Sequence, residues 1–251
     1  MPQKPNEVNI SNQLVVYSDR KEIPSVVVDK DLLENIESYL RKFLSDHFSV
    51  PQELVDAKYT TVIHDTGSKL KFGLIENHEG KLFPDRLNRI EIILRLREHS
   101  ERIDLLVRLT FSRIRGDSEI FVEIRDARPK DRVNALITGI KEVLNEKGNA
   151  NYLFHPNSFW NAILLGILFL WWIGIMIFAD LKNYTALKML IGFSIIIPLT
   201  FLLSRLKPYC AFDTPLQKKN DFLARFILAF LILGIVLNIT ANFLIKFLST
   251  L

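Results

Sequence analysis

The run Phe159–Phe178, FWNAILLGILFLWWIGIMIF, holds twenty residues and no formal charge. At about 1.5 Å of rise per residue, a helix of that length reaches about 30 Å, the thickness of a bilayer's hydrocarbon core. The run therefore reads as a membrane-spanning helix. Two more apolar stretches follow, so three spans are predicted, at about 159–178, 184–203 and 224–245. A short linker, 149–158, carries Tyr152, Phe154, His155 and Pro156, with Trp160 just beyond, and aromatic residues there suit the headgroup layer.

Charge divides the chain at the same place. Residues 1–155 contain 24 Lys and Arg against 25 Asp and Glu, a net of −1, whereas 156–251 contain 8 against 3, a net of +5. The overall charge of +4 thus belongs to the apolar half and speaks against nucleic acid as a partner. The single cysteine, Cys210, excludes an intrachain disulfide and fits a reducing compartment. No apolar core of a signal peptide stands near Met1, and the loop 204–221 holds Arg205, Lys207, Lys218 and Lys219. By the positive-inside rule these features put the N-terminal domain in the cytosol and the C-terminus across a plasma or inner membrane.

Residues 1–13 read as a loose tail and 14–148 as an α+β domain. Short β-branched runs at Leu14–Tyr17 and Val26–Val28 are candidate edge strands. Apolar residues then recur at three- and four-residue spacing from Asp31 to His47, predicting a helix with Asp29 or Asp31 as its N-cap. From Tyr59 the period changes to alternation. A hairpin through Asp65-Thr66-Gly67-Ser68 and strands at about 89–97, 102–113 and 120–124 follow, with a second amphipathic helix at about 129–146. Short connections imply an antiparallel sheet of about five strands with two helices on one face. That element order resembles helix-grip and TATA-binding-protein-like domains. The expected fold class is therefore an α+β cytosolic domain followed by an all-α domain of three transmembrane helices.

Candidate functional residues fall into four groups. In the third span Gly234, Asn238, Thr240 and Asn242 form a polar stripe, which serves either interhelical hydrogen bonding or a polar pathway in an oligomer. Ala162, Gly166 and Gly174 suit close helix packing, and Pro198 a kink. Arg205, Lys207, Lys218, Lys219 and Arg225 form a juxtamembrane basic group whose aromatic and proline neighbours favour ordered docking on the domain. On the outward face of the sheet Arg95, Arg97, Arg108, Arg125 and Phe121, with Ile93, Leu106 and Glu123, make a face for a ligand or acidic partner. Asp104 and Glu91 on the same face fit a merely solvated surface instead.

Enzyme signatures are lacking: no Gly-rich phosphate loop, nucleophile elbow or His-Glu-x-x-His stands in the sequence. His78, among Glu76 and Glu79, is the one histidine close to several carboxylates. No cofactor or metal is expected. The function expected from sequence is an integral membrane sensor or effector, in which ligand or partner binding by the cytosolic domain alters packing or permeability of an oligomeric membrane domain. The alternative is a non-conducting, membrane-anchored scaffold for a cytosolic protein. Expected partners are the bilayer, other copies of the chain, and a cytosolic protein or small molecule.

Overall fold

The computed structural model describes residues 14–78, 83–98, 103–155, 166, 169, 173 and 202–248. In chain order its elements are β1 (Val15–Glu22), β2 (Val27–Val28), α1 (Lys30–Phe48), α2 (Gln52–Lys58), β3 (Tyr59–Asp65), β4 (Ser68–Phe72), β5 (Arg89–Glu98), β6 (Ile103–Ser112), β7 (Glu119–Asp126), α3 (Pro129–Asn145), β8 (Ala211–Phe212) and α4 (Pro215–Leu248). Single turns of 3-10 helix lie at Arg115–Asp117 and Ala150–Phe154. Two compact units result: Met1–Ala150 with Tyr209–Phe212, and Asn151–Pro208 with Asp213–Leu251.

In the first unit, period-two alternation builds a six-stranded antiparallel sheet of order β1-β7-β6-β5-β3-β4. Ile90, Ile92, Leu94 and Leu96 of β5 point inward with Leu105, Val107, Leu109 and Phe111 of β6 and Ile120, Val122 and Ile124 of β7, all buried. Gly67, at φ 89°, makes the tight turn between β3 and β4, a backbone region open to glycine at no steric cost. The sheet has six strands rather than the five expected, because β1 pairs with β7 over its whole length. Its second half, Ser18-Asp19-Arg20-Lys21-Glu22, is too polar to read as a strand; its partner, not its own pattern, holds it extended.

Helix α1 starts where Asp29 caps it, the carboxylate Oδ1 accepting the Leu32 N–H at 2.8 Å, and ends at Ser49 in the left-handed region. Its apolar stripe, Leu32, Leu33, Ile36, Leu40 and Leu44, joins the stripe Val133, Leu136, Ile140 and Leu144 of α3 over the inner face of the sheet. Pro129 occupies the first turn of α3, where a missing N–H costs nothing. The two helices cross at Gly139: a Cβ there would lie 2.0 Å from the Tyr39 hydroxyl oxygen. The short helix α2 was absent from the sequence reading, since Gln52–Lys58 buries only Val55.

A later part of the chain completes this unit. Tyr209–Phe212 runs across it: the Tyr209 and Cys210 N–H groups donate to Arg113 and Ser112, and β8 pairs in parallel with β2. Tyr209, Cys210 and Phe212 are buried in the common core.

In the second unit Leu203, Leu206 and Ala224 form a small core with Phe154, Ile227 and Leu228. Thr214 caps α4 by accepting the Gln217 N–H at 3.1 Å, and the Gln217 amide donates to the Leu206 carbonyl at 3.1 Å. Phe222, Phe226, Phe230, Ile232, Leu233, Val236 and Leu237 of α4 are exposed.

The three-span membrane domain expected from sequence is corrected by the described residues: no helix among them is long and apolar enough to cross a membrane. Helix α1 has the length but carries a charged face. The first two expected spans lie outside the described residues except for Gly166, Phe169, Ile173, Leu202 and Leu203, and in α4 the side chains of 235, 238, 239 and 241–248 lie outside them too. An integral-membrane location is not supported. The membrane sensor, the membrane-anchored scaffold, and the placement of the two ends on opposite sides lose their footing with it.

Candidate binding face

One face of the six-stranded sheet is covered by α1 and α3; on the other, among the described residues, the side chains towards the arginine end are exposed or half-buried, while Val62 and Thr110 at the opposite end are buried, at 3% and 1% exposure. Strand register places the outward residues in rows across the sheet. One row runs Arg97, Asp104, Arg125, Val16, and the next Arg95, Leu106, Glu123, Ser18. The third runs Thr60, Ile93, Arg108, Phe121, Arg20, and the fourth Val62, Glu91, Thr110, Glu119, Glu22.

Charge is segregated along these rows. The first three hold five arginines, Arg20, Arg95, Arg97, Arg108 and Arg125, against two carboxylates, Asp104 and Glu123. The fourth holds three carboxylates, each already engaged. Glu119 lies 3.3 Å from Arg20, Glu91 is 2.8 Å from Arg89 and 3.3 Å from His64, and Glu22 pairs with Arg115. Among the described residues Arg95, Arg97, Arg108 and Arg125 form no ion pair.

At the centre of the arginine end stands Phe121, half-buried, flanked by its two cross-strand neighbours. The guanidinium carbons of Arg20 and Arg108 lie 5.9 and 5.8 Å from the ring centroid. Leu106 lies diagonally from it on β6 and Ile93 beyond Arg108 on β5, both half-buried. Such a surface offers planar donors for carboxylates with an apolar floor between them.

Comparison of the chain with protein-family models, with curated proteins and with solved structures found no match to any of them. The site is therefore read from its own geometry.

The register brings all five face residues expected from sequence, Arg95, Arg97, Arg108, Arg125 and Phe121, onto one side of the sheet. Arg20 was missed, because the sequence reading ended the first strand at Tyr17; its alternation with Val16 and Ser18 was the available signal. The other expected groups are described only in part. Lys207 is tied to Asp221 at 2.8 Å and Lys218 to Asp213 at 2.9 Å, while Arg205, Lys219 and Arg225 are exposed. Thr240 spends its hydroxyl on its own helix, donating to the Val236 carbonyl at 2.9 Å. Gly166 and Gly234 have no heavy atom within 4 Å of an added Cβ, so neither makes a close helix contact among the described residues. The side chains of Asn238 and Asn242, and residues Ala162, Gly174 and Pro198, lie outside the described residues.

A second polar group, which the sequence reading passed over, sits inside the first unit. Glu37 of α1 is 1% exposed, and its Oε1 accepts the Ile75 N–H at 2.7 Å. Burial, partly countered by that bond and by the nearby Arg41, pushes its carboxyl up to about 7. One turn on, Arg41 binds Asp56 at 2.7 Å and Glu76 with two hydrogen bonds at 2.6 and 3.2 Å. Among the described residues no three His, Cys, Asp or Glu side chains group so as to hold a metal ion.

Proposed function

We propose that the first unit is a recognition module whose open sheet face binds an acidic, partly apolar segment of another protein. The observation that carries this reading is Phe121 set between Arg20 and Arg108, with Arg95, Arg97 and Arg125 exposed around it. Three features support a protein segment over a nucleic acid. Asp104 and Glu123 stand among the arginines and would repel a continuous phosphate backbone. The residues 1–155 are close to neutral, at 24 basic against 25 acidic. Ile93 and Leu106 offer apolar contact that alternating acidic and aliphatic side chains satisfy.

Each exposed pair is worth little alone, about 0–1 kcal/mol, so binding draws on several arginines together and weakens with salt. The ring adds about 0.5–1 kcal/mol for each cation held against it.

The test is a fluorescence-anisotropy titration of the full chain with a labelled peptide of alternating Glu and Leu. Arg95→Glu/Arg108→Glu should weaken binding at least about tenfold, which corresponds to about 1.4 kcal/mol. Lys130→Glu, an exposed change on α3, should not. Unchanged affinity in the double variant would defeat the proposal.

A further inference from the structure

The segment Gly73–His78 leaves the edge strand β4 and closes over the core. Leu74 and Ile75 are its buried residues, at 6% and 0% exposure, while Gly73, Glu76 and Asn77 are exposed. It is held to α1 at two points. The Ile75 N–H donates to Glu37, and Glu76 grips Arg41. The two holds differ in kind. The Arg41–Glu76 pair lies at the surface, where both groups remain charged; each partner stabilises the other's charged form, raising Arg41 and lowering Glu76 from their ordinary values. The Glu37 hold is inside.

Among the described residues the second carboxyl oxygen, Oε2, is buried without a hydrogen-bond partner of ordinary geometry, the Glu76 N–H being the nearby backbone donor, and the buried Tyr59 hydroxyl of β3 beside it has none of ordinary geometry either. A neutral carboxylic acid and a phenol tolerate such surroundings at modest cost; a carboxylate does not. The charged and titratable groups that face Glu37 are few. Arg41 on its own helix favours ionisation but is committed to Asp56 of α2 and to Glu76; Glu76 on the segment opposes it; Tyr59 on β3 stays neutral.

We propose that Glu37 is a proton-operated latch: protonated, it holds Gly73–His78 closed on α1, and ionised, it drives the segment to open so that water reaches the Glu37 carboxylate. The sign follows from burial. Closing raises the carboxyl from its ordinary 4.5 to about 7, so the closed state is favoured by the proton. The contribution is complete below the open-state value and is lost as pH rises through the closed-state value. Opening should grow by up to about tenfold per pH unit between those limits and level off above pH 7.

The test is amide hydrogen exchange of the full chain from pH 5 to 8, corrected for the intrinsic rate and read on peptides covering Ile75. Expected is a loss of protection of about fortyfold between pH 5 and 7, flattening towards pH 8 and abolished in Glu37→Gln, which keeps the acceptor and cannot ionise. Protection that is flat with pH in the native chain, or that falls equally in Glu37→Gln, overturns the proposal. A carboxyl carbon titration of Glu37 by NMR needs no variant: a midpoint near 7 supports the latch and one near 4.5 sinks it.

Discussion

The guanidinium carbon of Arg108 lies 5.8 Å from the centroid of the Phe121 ring, across one strand pair of the open sheet face. Arg20 reaches the same ring from the neighbouring strand at 5.9 Å. Because the ring holds two cations in place, Phe121→Ala removes both an apolar contact and the ordering of two donors. A loss of about tenfold in affinity for an acidic peptide is expected, from about 0.5–1 kcal/mol per cation. Stability should fall far less than in Phe111→Ala, whose ring is fully buried and whose loss costs about 3–5 kcal/mol. Parallel denaturant melts and anisotropy titrations separate the two effects.

Gly139 tests the helix layer behind the sheet. A methyl group there would lie 2.0 Å from the Tyr39 hydroxyl oxygen and 2.3 Å from the ring carbon that bears it, so the whole ring must move. Gly139→Ala should destabilise by about 1–3 kcal/mol despite alanine's higher helix propensity. Adding Tyr39→Ala clears the space, so the double variant should be more stable than the sum of the two single losses. Simple additivity in urea melts would show that α1 and α3 do not meet as described.

The strap Tyr209–Phe212 can be read chemically through Cys210. Burial pushes its thiol up to about 11, leaving roughly one thiolate in a thousand at pH 8. Iodoacetamide should therefore leave Cys210 unmodified in the native chain and alkylate it quickly in urea, as followed by intact mass. Tyr209→Phe removes the single hydroxyl donor that the Ile23 carbonyl at 2.8 Å and Glu22 at 3.1 Å share, at an expected cost of about 1–2 kcal/mol. Alkylation should accelerate accordingly.

Asp29 does two jobs at the start of α1. Its Oδ1 caps the helix and its Oδ2 meets Lys147 at 2.7 Å. Asp29→Ala should cost about 1 kcal/mol through the lost cap, and Asp29→Asn, which still caps, should cost less. The carboxylate holds the Lys147 ammonium above the ordinary lysine range, so the lysine's contribution is present at neutral pH and is lost as pH rises through its titration in strong alkali.

Much of the first unit was legible because its signals are local and periodic. Ile90 to Leu96 and Leu105 to Phe111 alternate cleanly, and the Asp29 cap and the Gly67 turn carry their own chemistry. What escaped was long-range. Arg20 belongs to the site only because β7 holds a polar segment extended, and Cys210 reaches the core only by a crossing that no local pattern announces. Glu37 was detectable, since it lies among Leu33, Ile36 and Leu40 on the apolar stripe of α1, where a carboxylate is out of place. The membrane reading rested on hydropathy runs, and the described residues of the structure do not bear it out.

The most direct measurement of the central claim is the position of a bound acidic peptide. A photo-crosslinking residue at Leu106, on the open face, and another at Lys130, on α3, would be irradiated with the Glu-Leu peptide and digested for mass spectrometry. Crosslinks from position 106 that vanish in Arg95→Glu/Arg108→Glu, with none from position 130, are the expected result. Equal crosslinking from both positions, or from 130 alone, would contradict the assignment of the open sheet face.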